Sequence, residues 1–278
     1  MAQVQAICAG DVSAGEERKH LPARYWEVDA LRGAAVAMMV VYHLMWDLWF
    51  FQVLSSAQFW NPFWRYWQIV TASTFLFLVG VSLTLSYHRM PNPSYGGFLR
   101  RGLKIMGLGF IITIVMAFSG IGVVDFGILH LIGFSILAAY PLLRFTGLNV
   151  GLGAIFVVLG VLMRGTHWDG TWVLQPLLTR TVGPVWVDGR WLAPLGITPA
   201  GYGAVDFFPI LPWFGVVLLG VALGNWFYTA QGRRWAIPDW GHLPPVKFFE
   251  SLGRHSLAAY MLHQPLLFAA LYITGVAR

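Results

Sequence analysis

Residues 26–51, WEVDALRGAAVAMMVVYHLMWDLWFF, decide the fold. A helix needs about 20 predominantly apolar residues to cross a bilayer, and this stretch is long and apolar enough. Yet it carries Asp29, Arg32, His43 and Asp47, which hydrocarbon excludes. On a helix turning ~100° per residue, Arg32 and His43 return to nearly the same bearing, with Asp29 and Asp47 within roughly 60° of them. The four form one polar stripe with Val36 and Met39 between. Charged groups inside a membrane face a bundle interior or a water-filled cavity. Asp29 and Arg32 are equally well explained as a local pair in the cytoplasmic interface. His43 and Asp47 are not, because at ~1.5 Å per residue they lie about 21 and 27 Å above Asp29. A functional role is therefore expected for His43.

The rest of the chain has the same character. It has 278 residues, 57% hydrophobic and 11% charged, with mean hydropathy +0.63. Soluble domains carry about 25% charged residues, so an all-α, polytopic integral membrane bundle is expected. The net charge of +6 is spread among loops, whereas a nucleic-acid binder clusters its basic residues on one face, so no nucleic-acid partner is expected. The single cysteine, Cys8, excludes an intramolecular disulfide and a Cys-based metal site. Residues 1–24 are polar, with no apolar core. They read as a cytoplasmic tail rather than a cleavable signal, and the first span is expected to serve as its own insertion signal.

Six further spans are expected after the first, at about 64–87, 98–119, 124–144, 149–164, 206–229 and 253–276, all in one domain over 25–278. Residues 165–205 form an outer loop rich in Trp, Gly and Pro, with no apolar run long enough to span. Placing the tail inside leaves only Arg65, Arg164, Arg180, Arg190 and Arg278 of the 18 Lys and Arg residues outside. Positive charge prefers the cytoplasmic side, so the amino terminus is inside and the carboxyl terminus outside.

That orientation sets depths. His43, Asp47 and His130 fall in the outer half of the bundle, with Asp206 at the outer start of the sixth span. His263 falls near mid-membrane, on one face with Ser256 and Tyr260. Three chemistries use such residues. The histidines sit on separate spans without HxxxH or HExxH spacing, so no metal is expected. A proton relay in a transporter or flippase for a sugar or lipid intermediate uses intramembrane histidines as carriers, although no internal repeat is evident. In the third, Asp47 orients the His43 ring one turn below and stabilises its cation, making His43 a general base. A scaffold gives no reason to bury His43 and Asp47. The outer-loop Trp168 and Trp172 read either as an interfacial belt or as stacking platforms for pyranose rings.

The opening WEVDALRGAAVAMMVVYHLMWDL, with its E-x-D-x-x-R-G run, resembles the start of the heparan-α-glucosaminide N-acetyltransferase catalytic-domain family. FGILHLIGFS, DFFPILPWFGVVLLG and LGRHSLAAYMLHQPLL resemble its later helices. The pattern is shared with the wider transmembrane acyltransferase superfamily. The resemblance implies a bacterial-type enzyme of the inner (plasma) membrane that moves an acetyl group from cytosolic acetyl-CoA to a sugar amine or hydroxyl outside. Membrane lipid is then a partner, and an oligomer is compatible with the reading. Arg32, Arg100, Arg101, Lys104 and Arg254 would receive the donor. His43, with Asp47, would be catalytic, and His130, Asp206, His263, Trp168 and Trp172 would line the acceptor side. The lysosomal enzyme carries its catalytic histidine in the loop after the first helix and an asparagine at the position of His43. Here Phe51–Trp64 contains no histidine, which shifts the chemistry to His43 or another helix-borne histidine.

The orientation is tested by labelling intact cells with a membrane-impermeant thiol reagent in a Cys8→Ser background. Ser94→Cys stays protected and Gly170→Cys labels; labelling of Ser94→Cys reverses the orientation and every depth derived from it.

Overall fold

The computed structural model describes residues 24–163, 190–198, 202–229 and 232–276. Its helices are α1 (Trp26–Phe50), α2 (Ser56–Phe59), α3 (Pro62–Arg89), α4 (Tyr95–Ser119), α5 (Ile128–Ala139) and α6 (Thr146–Met163), followed by α7 (Ile210–Phe227), α8 (Pro244–Arg254) and α9 (Ser256–Ile273). Two-residue strands, β1 (Tyr228–Thr229) and β2 (Gly232–Arg233), pair antiparallel after α7. Helices α1, α3, α4, α7 and α9 are long and apolar enough to span a membrane. Helix α5 with its 3-10 turn (Tyr140–Leu142) and helix α6 are shorter apolar helices, standing where the fourth and fifth spans are expected. The protein is an all-α polytopic membrane protein.

Local chemistry sets the turns. Ser55 and Gln58 cap α2 reciprocally, satisfying free N–H groups at its start. Asn61 then caps α3 by accepting from the Trp64 N–H at 3.3 Å, and Pro62 follows at the first helical position, where its missing N–H costs nothing.

Among the boundaries that differ from the sequence expectation, three have a clear physical reason. Helices α5 and α7 start at Ile128 and Ile210 rather than near 124 and 206, because their leading segments pair with each other. Val205 N–H donates to the Val123 carbonyl at 2.9 Å, and Phe208 N–H to the Phe126 carbonyl at 2.8 Å. The segment PPVKFFESLGR, most of which falls between the expected spans at 206–229 and 253–276, is helix α8. It is amphipathic rather than apolar, which hides it from a search for spans. The last span therefore begins at Ser256, after a break at His255.

The core lies where α3, α5 and α7 meet, around Leu76, Leu83, Leu131, Ile136, Val217, Leu218 and Val221. Lipid tails are as apolar as leucine, so membrane helices gain by close packing, which small residues permit. Gly80 of α3 lies against the Val217 carbonyl, and Gly220 of α7 against the Phe77 carbonyl. Helix α1 crosses α8 in the same way, Gly33 against the Phe249 carbonyl and Gly253 against that of Asp29. A Cβ at any of these four positions overlaps a backbone oxygen.

Accordingly, Gly33→Ala and Gly253→Ala each lower the thermal midpoint in detergent, by the ~1–3 kcal/mol typical of overpacking. Gly107→Ala, where an added methyl meets nothing within 4 Å, shifts it upward by roughly 0.5–1 kcal/mol, the helical gain of Ala over Gly. Equal midpoints for the two classes would contradict the backbone contact.

Candidate active site

The E-x-D-x-x-R-G run occupies the first two turns of α1, and each of its four residues has a separate structural task. Glu27 is gripped by Arg233 through two hydrogen bonds, Nε to Oε1 at 2.7 Å and Nη2 to Oε2 at 2.6 Å. Tyr228 donates to the same carboxylate at 3.0 Å, and the Arg233 guanidinium lies 5.1 Å from the centre of the Tyr25 ring. Bidentate, charge-assisted pairs are strong and geometrically specific, so this one fastens the β hairpin to the start of α1. The hydrogen bond to Glu27 raises the Arg233 pKa, and burial, then the Glu27 carboxylate, raise that of Tyr228. Gly33 supplies the α8 crossing.

Asp29 and Arg32 form the local pair that i,i+3 spacing allows, Nη1 to Oδ1 at 3.0 Å. Arg254 approaches the other oxygen of Asp29 at 3.8 Å and also pairs with Glu250. Arg32 has a second task. Its Nη2 donates to Ser82 Oγ at 2.5 Å, and Ser82 in turn donates to the Leu78 carbonyl at 2.5 Å. The guanidinium thus bridges α1 and α3 at the wall of a cavity of about 430 Å³. Arg24, Arg32, Arg89, Arg101 and Arg254 line that cavity, together with Ser82, Ser86 and a single carboxylate, Asp29. Five cations against one anion leave the cavity with an excess of positive charge, which attracts anions. Among the expected donor residues, Arg32, Arg101 and Arg254 stand on its wall; Arg100 and Lys104 are exposed on α4 and do not.

Deeper along α1, His43 and Asp47 meet α9. The His43 ring lies edge-on to His263, with centroids 4.6 Å apart. Asp47, 0% exposed, accepts from Gln264 Nε2 at 2.5 Å through Oδ1. Among the described residues, its buried Oδ2 finds no hydrogen-bond partner, and neither do Gln264 Oε1 and His263 Nε2. His263 Nδ1 lies 2.6 Å from the Tyr260 carbonyl. A carbonyl only accepts, so Nδ1 carries the proton and Nε2 the lone pair. The neighbour of His43 is therefore His263, and the neighbour of Asp47 is Gln264. Two contacts join α1 to α9 where the sequence suggested one pair within α1.

His130 and Asp206 sit together at the start of α5. Asp206 Oδ2 accepts from the Ile128 N–H at 3.2 Å, and His130 Nδ1 accepts from the Gly127 N–H at 3.2 Å. Both satisfy free donors of the helix terminus. Burial pushes the Asp206 carboxyl up to about 6, with the Ile128 N–H pulling the other way. Asp206 also lies within electrostatic reach of Tyr260 on α9. Trp168 and Trp172 lie outside the described residues. Among the described residues, no group of three or more His, Cys, Asp or Glu is placed to hold a metal ion.

Sequence reasoning missed Gln264, Ser82, Arg24 and Arg89 as site residues. Gln264 carried a signal, being a polar side chain beside His263 in an apolar span. The other three depend on which helix ends converge, and no local pattern encodes that.

The model of the family described as heparan-alpha-glucosaminide N-acetyltransferase, catalytic, matches residues 24–265. The match takes in the cavity wall and the whole α1–α9 cluster. No curated protein and no solved structure matches the chain.

The Asp47–Gln264 contact is testable by stability. Gln264→Leu strands a buried carboxylate and lowers stability by about 1–3 kcal/mol, the cost of an unsatisfied buried group. Adding Asp47→Leu recovers much of that loss, since replacing both partners by apolar groups is close to neutral. Thermal midpoints in detergent give the comparison; an additive double mutant means that the two side chains do not interact.

Proposed function

The chain belongs to the heparan-alpha-glucosaminide N-acetyltransferase catalytic family, and from that premise we propose that it carries an acetyl group from cytosolic acetyl-CoA to a sugar amine or hydroxyl on the outer side. The membership makes it a membrane enzyme of the acyltransferase type. The donor, the acceptor, a place in the bacterial inner membrane and the residue roles are our reading. One observation supports it above the rest: α1 carries both Asp29 and Arg32 on the wall of the basic cavity and His43 further along. The cavity opens at the end of the bundle that the positive-inside rule places in the cytoplasm. His43 stands ~16 Å further along the axis, at 1.5 Å per residue.

In this reading the phosphates of acetyl-CoA enter the cavity and displace Asp29 as partners of Arg32 and Arg254, with Arg101, Arg24 and Arg89 around them. Arg32 is held by Ser82 as well as by Asp29, so it is already positioned when the anion arrives. The pantetheine arm runs along the stripe of α1 and brings the thioester to His43. His43 takes the proton of the acceptor as the acceptor oxygen or nitrogen bonds to the acetyl carbon. The carbon–sulfur bond breaks and the thiolate leaves on the donor side. The Asp47 carboxylate, one turn beyond, favours the positive imidazolium through its charge while Gln264 holds it in place. Asp206 and His130 frame the acceptor side from the start of α5, with Trp168 and Trp172 in the outer loop.

The assay is acetyl-CoA consumption with a panel of amino sugars and outer-leaflet glycans, alongside calorimetry in detergent. Arg32→Ala weakens acetyl-CoA binding by about 10- to 150-fold, the equivalent of the ~1.5–3 kcal/mol of a hydrogen bond to a charged group. His43→Ala lowers turnover by roughly a hundredfold or more, the usual contribution of a general base. Normal turnover without His43 sinks the assignment. Proton-coupled transport without acetyl-CoA consumption favours the transporter reading.

A further inference from the structure

Resting on the acyl-transfer reading above, we propose that His263 is the second proton acceptor of the reaction, taking from His43 the proton that His43 takes from the acceptor. The geometry has three parts. First, the Tyr260 carbonyl, 2.6 Å from Nδ1, fixes the tautomer of His263, so its Nε2 lone pair is available. That atom is buried, with no hydrogen-bond partner among the described residues. Second, the ring beside it belongs to His43, edge-on with centroids 4.6 Å apart. No hydrogen bond joins the two rings in this structure; catalytic hydrogen bonds often tighten only when substrate is bound. Third, Asp47 Oδ1 is held by Gln264, so the carboxylate that the sequence offered as the partner of His43 is anchored on α9 and acts on His43 through its charge. His263 occupies the place beside His43.

The proton count closes. The acceptor N–H or O–H proton moves to one nitrogen of His43 while the new bond to the acetyl carbon forms and the carbon–sulfur bond breaks. The other nitrogen of His43 passes its proton to His263 Nε2. His43 is left neutral in its other tautomer, His263 carries the positive charge, and the coenzyme A thiolate carries the negative one. The reverse relay resets the pair: His263 returns its proton to the other nitrogen of His43, and the acceptor-facing nitrogen of His43 gives its proton to the thiolate or to water. Two adjacent imidazoles in a poorly solvated place do not both hold charge, so the pair handles one proton at a time. Among the described residues, the titratable groups around the pair are Tyr42 of α1, its ring centre 5.9 Å from that of His43, and Tyr260 of α9, 5.7 Å from that of His263, with Asp47 on the neighbouring Gln264 and Asp206 within reach of Tyr260.

The test separates a proton acceptor from a packing residue. In His263→Asn the side-chain NH2 can still donate to the Tyr260 carbonyl, but the Nε2 lone pair is gone. The variant is expected to retain its thermal midpoint and its KM for acetyl-CoA while kcat falls at least tenfold. Residues acting as one unit are non-additive, so His43→Ala with His263→Asn is expected to be no slower than His43→Ala alone. The acidic limb of the pH–rate profile should shift in His263→Asn. Should that variant fold poorly, His263→Gln, which puts an amide near the Nε2 position, serves in its place with the same expectation. Wild-type kcat in the folded variant, or losses that multiply in the double variant, overturn the relay and leave His43 standing as the base. Normal turnover by His43→Ala instead overturns the earlier assignment, and the relay with it.

Discussion

The contact on which the site depends is the crossing of α1 over α8, where Gly33 and Gly253 bring the two backbones together. Nothing in a bilayer pushes apolar helices together as water does, so the fit of their surfaces decides their relative position. Helix α8 ends at Arg254 and α9 starts at Ser256, so fixing the end of α8 on α1 also fixes the origin of α9. From that origin His263 arrives beside His43, and Gln264 beside Asp47. A side chain at Gly253 would act at a distance, by displacing the start of the helix that carries half of the cluster.

The same crossing settles how a helix with so many charges is tolerated. Two carboxylates and a guanidinium in the first two turns of α1 are each paired: Glu27 to Arg233, and Asp29 to Arg32 and Arg254. Arg254 reaches Asp29 only because α8 lies against α1. The structural and functional readings of the opening motif are therefore compatible. Glu27 and Gly33 hold elements together, whereas Asp29 and Arg32 do so while facing a cavity of excess positive charge. The single carboxylate there lowers the cost of clustering five guanidinium groups.

Much of this was legible in the chain, and the failures have a common cause. The polar stripe of α1 and the places of the long apolar helices follow from periodicity, which is local. Pairing Asp47 with His43 was also a local inference, resting on i,i+4 spacing, and there tertiary structure supplied another partner from 217 residues away. Helix α8 stayed hidden because its apolar face is a stripe on an otherwise polar segment. The late starts of α5 and α7 follow from pairing between residues 123–126 and 205–208, two segments that read separately as the beginnings of spans.

His130 shows why residue type and depth do not identify a base. It was placed by sequence near the depth of His43, is only 2% exposed, and lies against Phe110 and Phe126. Its Nδ1 accepts a proton-bearing N–H from Gly127, which leaves the proton of the neutral ring on Nε2. His263 has the opposite arrangement, since its Nδ1 faces a carbonyl. The hydrogen bond made by one ring nitrogen sets the role of the other. His130 is therefore built to donate from Nε2, and His263 to accept there. The backbone at the start of α5 and within α9 writes two different chemistries onto the same side chain. Only the second of them leaves a lone pair on Nε2, beside the ring of His43.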